Sequence, residues 1–401
     1  MVQATTFNVQ WFDNIDQVSL ADWQACFPED DILRSYDLQR AYETSNFRDV
    51  NFHYCVVTQE NRVVGILPCF EYRISLTDVA SVSTQNIVAR IRKIYPNFLK
   101  LKAFVAGAPI SICDDLIGIH QDCRSDLQSI LSVAFSAIEE RCKQTNSTVT
   151  LIKEIRNRYQ SVLFQQIKED FVIGESPPTT FTYVGEINGE PYLQRLRNRY
   201  RSSIKGYLNK FSNSGLRWEL ISDFGDLSET LCELYLNVLN RSKVKFEQLT
   251  PDFFKSINTA LGERSAVLVG YHQEKIVAME LILQGRQMHP IYLGMDYQYL
   301  NDAGLYFNCL VKLLQEAQDR QCYTVELGQT SYEAKSNFGI ELEKLYVAIK
   351  HKNPIINKLL RLFKHQVLPP YPEIPARNIF KDSNAHSAHL DQAIIPSRAG
   401  Y

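Results

Sequence analysis

A chain of 401 residues, 45% hydrophobic and 22% charged, has room for two or three cored domains and an ordinary globular composition. A formal net charge of −2 argues against DNA or other bulk nucleic-acid binding, and no apolar run is long enough for a membrane span. Nine dispersed cysteines without a Cys-x-x-Cys pair fit a reducing compartment and do not suggest a disulfide framework or a zinc site. The first ten residues lack a basic-then-apolar leader, so the expected location is cytoplasmic, with no metal and no tightly bound cofactor.

Residues 19–46 carry helical apolar spacing at Trp23, Phe27, Ile32, Leu33, Leu38 and Ala41, interrupted by Pro28-Glu-Asp-Asp31. Two strand-like runs, residues 52–58 and 62–73, meet at the turn-like Gln59-Glu-Asn61 and predict a hairpin. Residues 74–97 are polar and unassigned, and residues 98–112 are apolar around Ala106-Gly-Ala-Pro109. Apolar residues at 127, 130, 131, 134 and 138 predict a helix over 126–141, followed by a strand at 148–153 and a helix near 159–167.

The order then recurs. Residues 265–271 and 275–285 flank His272-Gln-Glu274 as a second hairpin, in which Ile276-Val-Ala278 falls on Val63-Val-Gly65. A strand, His289-Pro-Ile-Tyr-Leu-Gly-Met295, runs through Asn301-Asp-Ala-Gly304 into a helix with apolar residues at 307, 310, 311, 314 and 317. A helix start reached through such a turn offers unpaired N–H groups to an anion such as a pyrophosphate. Residues 323–328 predict a further strand. The chain therefore reads as two copies of one α/β unit, the first carrying an insertion of roughly 35 to 40 residues near 74–97.

Between the copies, residues 191–211 place apolar side chains at 193, 196, 200, 204, 207, 208 and 211 on one helical face. Arg197, Arg201 and Lys205 recur at four-residue spacing beside Arg195 and Arg199, as a solvated linker helix or a phosphate-recognising one. Thr250-Pro-Asp252 opens another helix. Residues 354–365 predict a short basic amphipathic helix, and the Pro-rich polar segment after 369 an extended tail. His386 and His389 in that tail lack companions for a metal site.

The second copy resembles the acyltransferase domain of the GNAT superfamily, in the tandem form shared by Fem-type peptidyltransferases and the peptidoglycan biosynthesis/recognition proteins. The likeness is carried by the basic helix 195–210, Leu249-Thr-Pro-Asp-Phe-Phe254, the hairpin 276–284, Tyr292-Leu-Gly-Met-Asp-Tyr297 and Glu326-Leu-Gly-Gln-Thr-Ser-Tyr-Glu-Ala-Lys-Ser-Asn-Phe-Gly339. The first half is similar in outline through Asp31-Ile-Leu-Arg-Ser-Tyr-Asp-Leu38, Leu67-Pro68, Tyr95-Pro96 and Gly107-Ala-Pro109. The resemblance implies an α/β (α+β) fold of two tandem GNAT-like lobes. Each is a mixed, mostly antiparallel sheet flanked by helices and splayed between its fourth and fifth strands to admit a donor arm. The expected division is a degenerate lobe over 1–185, a basic linker helix over 186–215, an active lobe over 216–352, and a basic helix with a Pro-rich flexible tail over 353–401.

The activity so implied is N-acyl transfer, with room for a longer fatty acyl group, from a CoA or acyl-carrier-protein thioester co-substrate to a primary amine of an amino acid, small molecule or peptide. The donor would bind at Met295, Tyr297, Asp302, Ala303, Gly304 and Leu305 with help from Arg197 and Arg201. Only one glycine of the family's usual turn remains, and Asp302 adds a charge there, so CoA, a carrier protein and an aminoacyl-tRNA all stay open as donors. Asp296 and Glu280 lie in apolar strands where desolvation raises a carboxyl pKa, and they are the candidate bases, Asp296 first because it sits just before the ligand turn; an ion pair is the competing reading of each. Tyr332 would protonate the leaving thiolate, and Glu326 and Lys335 would hold the acceptor. The alternatives are Fem-type aminoacyl-tRNA-dependent transfer to a cell-wall precursor, and a recognition module that kept the fold without the chemistry.

Overall fold

The structure is a computed structural model and describes residues 6–75, 100–242, 247–299, 304–374 and 377–398. The first copy contributes β1 (Phe7–Phe12), β2 (Asn51–Gln59), β3 (Arg62–Ser75), β4 (Lys100–Ala106), β5 (Gly118–Ile119), β6 (Val149–Ile155) and β7 (Val172–Tyr183). The second contributes β8 (Leu216–Ile221), β9 (Ser265–His272), β10 (Lys275–Gln284), β11 (Met288–Met295), β12 (Thr324–Glu326) and β13 (Glu341–His351). Helices α1 (Leu20–Cys26), α2 (Tyr36–Thr44), α3 (Leu127–Gln144) and α4 (Asn157–Ile167) belong to the first copy, and α5 (Tyr192–Arg195) and α6 (Asn198–Ser212) to the linker. Then come α7 (Ser228–Arg241), α8 (Pro251–Leu261), α9 (Leu305–Asp319), α10 (Tyr332–Lys335), α11 (Pro354–Leu362), α12 (Lys364–Val367) and α13 (Ser383–Arg398). No helix among the described residues is long and apolar enough to cross a membrane.

Both predicted hairpins form, β2 with β3 and β9 with β10. The first closes on Glu60 and Asn61, both at positive φ, which is the backbone a two-residue hairpin turn with right-handed strand twist requires. Apart from β5, the copies then match in order: strand, two helices, three strands, a helix, a strand, a helix and a last strand.

One continuous sheet joins the copies, in the order β1-β2-β3-β4-β6-β13-β7-β12-β11-β10-β9-β8, with β5 paired to β3. Each copy hands its last strand to the other. Strand β13 lies between β6 and β7, and β7 lies between β13 and β12. The division at 185 and 352 thus follows the chain, whereas the sheet crosses it. A shared core supports the exchange, with Leu38, Ala41 and Tyr42 of α2 in one buried cluster with Phe253, Phe254 and Ile257 of α8 and Met279 and Leu281 of β10. Strands β1, β7, β8 and β13 escaped the sequence reading, and the expected insertion at 74–97 lies almost wholly outside the described residues.

Two expectations are corrected. The linker is not one helix: Leu196 bridges to Phe380, and Arg197 N–H donates to the Ile379 carbonyl (2.8 Å), so backbone pairing breaks it between α5 and α6. Arg195 is consequently buried, donating to the carbonyls of Tyr183 and Gly185 at 2.9 Å each. The expected flexible tail instead contains α13, whose Leu390 and Ile394 pack on Phe181. Within it His386 stacks on Phe380 at 3.9 Å between centroids, and burial pushes its imidazole pKa down to about 3.

Candidate active site

Where the fourth and fifth strands of the second copy meet, the sheet opens. Strand β11 pairs with β12 only at Met288↔Val325, then runs on to Met295 bonded to β10 alone. Pro290, which has no N–H to give a neighbour, sits just past that bridge. In the first copy the corresponding β4 and β6 stay paired from Ala103↔Val149 to Ala106↔Ile152, so its gap is stitched shut. A cavity of about 570 Å³ fills the opening, walled by Glu280, Tyr292, Tyr306, Glu326 and Lys335 of the second copy and by Ser111, Cys113 and Pro177 of the first. A concave site between two lobes is where ligands are commonly held.

Glu280 reaches the cavity from the middle of β10, opposite Leu293. Burial pushes its carboxyl pKa up to about 7, although the Lys335 ammonium and the Cys309 thiol, which donates at 3.6 Å, favour the ionised form. Lys335 is buried as well, and loss of hydration brings its pKa down to about 8, partly offset by Glu280. Its Nζ donates to the carbonyls of Leu327 (2.6 Å) and Gln329 (2.9 Å), with Gly328 at 3.4 Å. These carbonyls belong to a turn in which Gly328, Thr330 and Ser331 all have positive φ, a conformation that strains the β-branched Thr330. Lys335 therefore holds a strained loop as well as balancing Glu280.

Further polar groups complete the walls. Tyr306, in the first turn of α9, hydrogen-bonds Ser331, and burial raises its phenol pKa. Glu247 accepts from the Tyr292 hydroxyl at 2.8 Å, and its pKa too is raised by burial. Glu326 accepts from Thr179 Oγ1 at 2.7 Å, pairs with the Arg156 guanidinium, and lies 3.2 Å from His289 Nδ1.

Of the residues singled out in the sequence, Glu280, Glu326 and Lys335 share this cavity. Tyr332 points elsewhere: its hydroxyl donates to the Pro178 carbonyl at 2.8 Å and its ring meets Tyr371 edge-on. Asp296 lies one residue past the end of β11, accepting from Lys275 Nζ at 2.9 Å and Gln298 N–H at 3.1 Å. The Lys275 hydrogen bond holds its carboxyl below the usual range, opposite to the expected upward shift. Asp296 and Tyr297 border a separate open cleft with Arg241, whose guanidinium lies 3.6 Å from the Tyr297 ring centroid. Met295 and Leu305 are buried together in a core cluster, and Gly304, left-handed at φ 58°, starts α9. Asp302 and Ala303 lie outside the described residues. Arg197 Nε donates to the Phe380 carbonyl at 2.9 Å, and Arg201 bonds Asn198 within its own helix. Helix α6 nevertheless abuts the start of α9, through a parallel Tyr207–Phe307 stack at 4.3 Å. Tyr306, Glu247 and Ser111 were missed; only Tyr306, next to the Gly304-Leu305 helix start, had a positional signal.

Residues 198–336 match the family model of the acetyltransferase (GNAT) domain. The second lobe is a GNAT domain. The match supports an acyltransferase, and the GNAT fold generally uses an acyl-CoA as co-substrate. Around the GNAT domain the whole chain is similar to FemX, at 11% identity over 88% of this chain and 100% of that chain, with a TM-score of 0.54. It is also similar to the C-terminal domain of a putative lysylphosphatidylglycerol synthetase from Agrobacterium fabrum (12% identity, 86% and 97% covered, TM-score 0.51). A tandem GNAT protein from the clavulanic acid biosynthesis pathway matches at 9% identity, with 87% and 99% covered and a TM-score of 0.50. No curated protein matches the sequence. At these identities the likenesses establish the tandem GNAT fold across both copies.

Proposed function

We propose that the chain is an N-acyltransferase whose GNAT domain moves an acyl group from a CoA or carrier-protein thioester to a primary amine seated in the interlobe cavity. The observation that carries this reading is Glu280, a carboxyl poised near pH 7 by burial in the cavity where β11 and β12 part. Glu247 shares that cavity with the rings of Tyr292 and Tyr306, a lining that favours a cationic amine, while Glu326 is held by Arg156. The amine enters as an ammonium and gives a proton to Glu280. Its nitrogen then bonds to the thioester carbonyl carbon, the C–S bond breaks, and the thiolate takes the Tyr306 proton, which the nitrogen's second proton replaces. Lys335 keeps Glu280 from being neutral throughout and fixes the turn beneath it. The donor lies along the free edge of β11 with its phosphates at the N-terminus of α9, and the first lobe walls the acceptor site through Ser111, Cys113 and Pro177. Nine free, buried cysteines support a reducing, cytoplasmic setting.

The exposed cations of α6, among them Arg199, Lys205 and Lys210, lie on the helix that abuts the start of α9 and favour a second reading of the donor, a carrier protein or an aminoacyl-tRNA. Both readings meet one test. Purified protein is incubated with acetyl-CoA, long-chain acyl-CoA, acyl-carrier protein or aminoacyl-tRNA against lysine, spermidine, an amino sugar and lysine-bearing peptides. Mass spectrometry should find an amide carrying the acyl mass, with free thiol released in equal amount when the donor is a thioester. Turnover confined to aminoacyl-tRNA would select the Fem-type donor, and absence of both transfer and donor binding would leave only the recognition module.

A further inference from the structure

Helix α11 is set on the body the wrong way out for a core helix. Its polar side faces inward: Asn357 Nδ2 donates to the Asp170 carbonyl at 2.8 Å, and the Arg361 guanidinium donates to the Glu169 carbonyl. Its aliphatic side faces water, with Ile355 70%, Leu359 47% and Leu362 73% exposed, followed by Phe363 at 48% and Val367 at 44%. These side chains fall at 355, 359, 362 and 363, a single stripe at helical spacing, whereas isolated exposed leucines would need no explanation. Lys358, Lys364 and His365 flank the stripe, and no acidic residue occurs between Glu343 and Glu373 in a chain whose net charge is −2. Lys352, Lys358, Arg361 and Lys364 form no ion pair among the described residues, while Lys344 and Lys350 are paired with Glu175 and Glu139.

We infer that α11, with Phe363 and Val367, docks the protein on an anionic lipid surface. An aliphatic stripe edged by unpaired cations has the chemistry of an interfacial helix: the stripe enters the acyl boundary and the cations meet the headgroups. The charge bias chooses an anionic bilayer over a neutral one, and the side chains project outward from the body with the polar side already engaged. The strap that follows is continuous with the candidate site. Leu368 packs on Gly174, Tyr371 N–H donates to Glu175 at 3.0 Å, and the Tyr371 ring lines the cavity. This inference is independent of the proposed reaction.

The test is co-sedimentation of the full chain with vesicles of phosphatidylglycerol in phosphatidylcholine, and with phosphatidylcholine alone, at low and high salt. We expect at least tenfold stronger binding to the anionic vesicles, weakened by salt. Leu359→Glu/Leu362→Glu should lose it about tenfold, and so should Lys352→Glu/Lys358→Glu, each with an unchanged thermal melt because the positions are exposed. Equal or no binding of the native chain to the two vesicle types overturns the inference whether or not the variants fold. Binding that both variants retain overturns it too. A native dimer by light scattering that Leu359→Glu/Leu362→Glu makes monomeric, with no vesicle binding, assigns the stripe to a second copy instead.

Discussion

Replacing Glu280 with glutamine keeps the shape of the side chain and removes its charge, and the structure predicts opposite effects on rate and on stability. Raising a carboxyl from 4.5 to about 7 means that the folded state disfavours the ionised form by about 3 kcal/mol. Because the folded pKa lies above the unfolded one, the contribution of Glu280 is fully present below about pH 4.5 and is lost as pH rises through about 7. Glu280→Gln never ionises. It should therefore match the native protein near pH 5 and exceed it at pH 8.5, by up to about 3 kcal/mol, a figure that already contains the attraction to Lys335. Without the neighbouring anion the lysine pKa, already down to about 8, falls further, which trims the gain. In the reaction, loss of a general base lowers kcat/KM by about 10²- to 10⁴-fold and removes the rising limb of the pH–rate profile near 7. Urea titrations at the two pH values and kcat/KM profiles read both effects. A stability difference that does not change between pH 5 and 8.5, or a rate within tenfold of native, refutes the reasoning.

Other residues divide in the same way. Tyr306→Phe should cut kcat by about 10- to 100-fold with little change in KM, since it removes only a proton donor. Tyr332→Phe and Asp296→Asn should stay within about threefold of the native rate, because one hydroxyl is engaged by a carbonyl and the other carboxyl by Lys275 outside the cavity. Lys335→Met should destabilise the fold by about 1 to 3 kcal/mol, measured in urea at pH 7, since it frees the carbonyls of the 327–329 turn while Glu280 answers the loss of its cation by staying protonated. The same change should move the rising limb of the rate profile above pH 7.

What the sequence made legible was local. The hairpins at 52–73 and 265–285 announce themselves because their turns and alternation are encoded within some twenty residues, and the helix after Gly304 does so through its apolar spacing. Strands β7 and β13 do not, because both lie at the centre of a shared sheet, and β7 carries Pro177 and Pro178 within it. What makes them strands is the partner each finds across the molecule. The site shows the same division: Glu280 in an apolar strand is visible as a buried carboxylate, but Asp296 has the same local appearance and a different fate. It lies beyond the strand end, where Lys275 from the paired strand reaches it, and no window around residue 296 records that contact. Tyr306 and Tyr332 differ only in where α9 and α10 aim them.

The exchange of β7 and β13 makes a prediction that independent lobes would not share. The exposed turn at Asn188 and Gly189, both at positive φ, allows the chain to be divided between them without touching a strand. Fragment 1–188 then keeps β6 and β7 but lacks β13, the strand that separates them and bonds both. Fragment 189–401 keeps β12 and β13 but lacks β7, which bonds both in turn. Each fragment exposes three unsatisfied strand edges, one on β6 and both on β7 in the first, one on β12 and both on β13 in the second, and one half of the core shared by α2 and α8, so neither should unfold cooperatively as a monomer. Mixed or co-expressed, they should assemble one to one and regain a single sharp melt, because every lost pairing is restored by the partner. Light scattering after size exclusion, with thermal melts of each fragment and of the mixture, decides the matter. A monomeric fragment with its own sharp transition would mean that the copies fold as separate domains and that the exchanged strands contribute little.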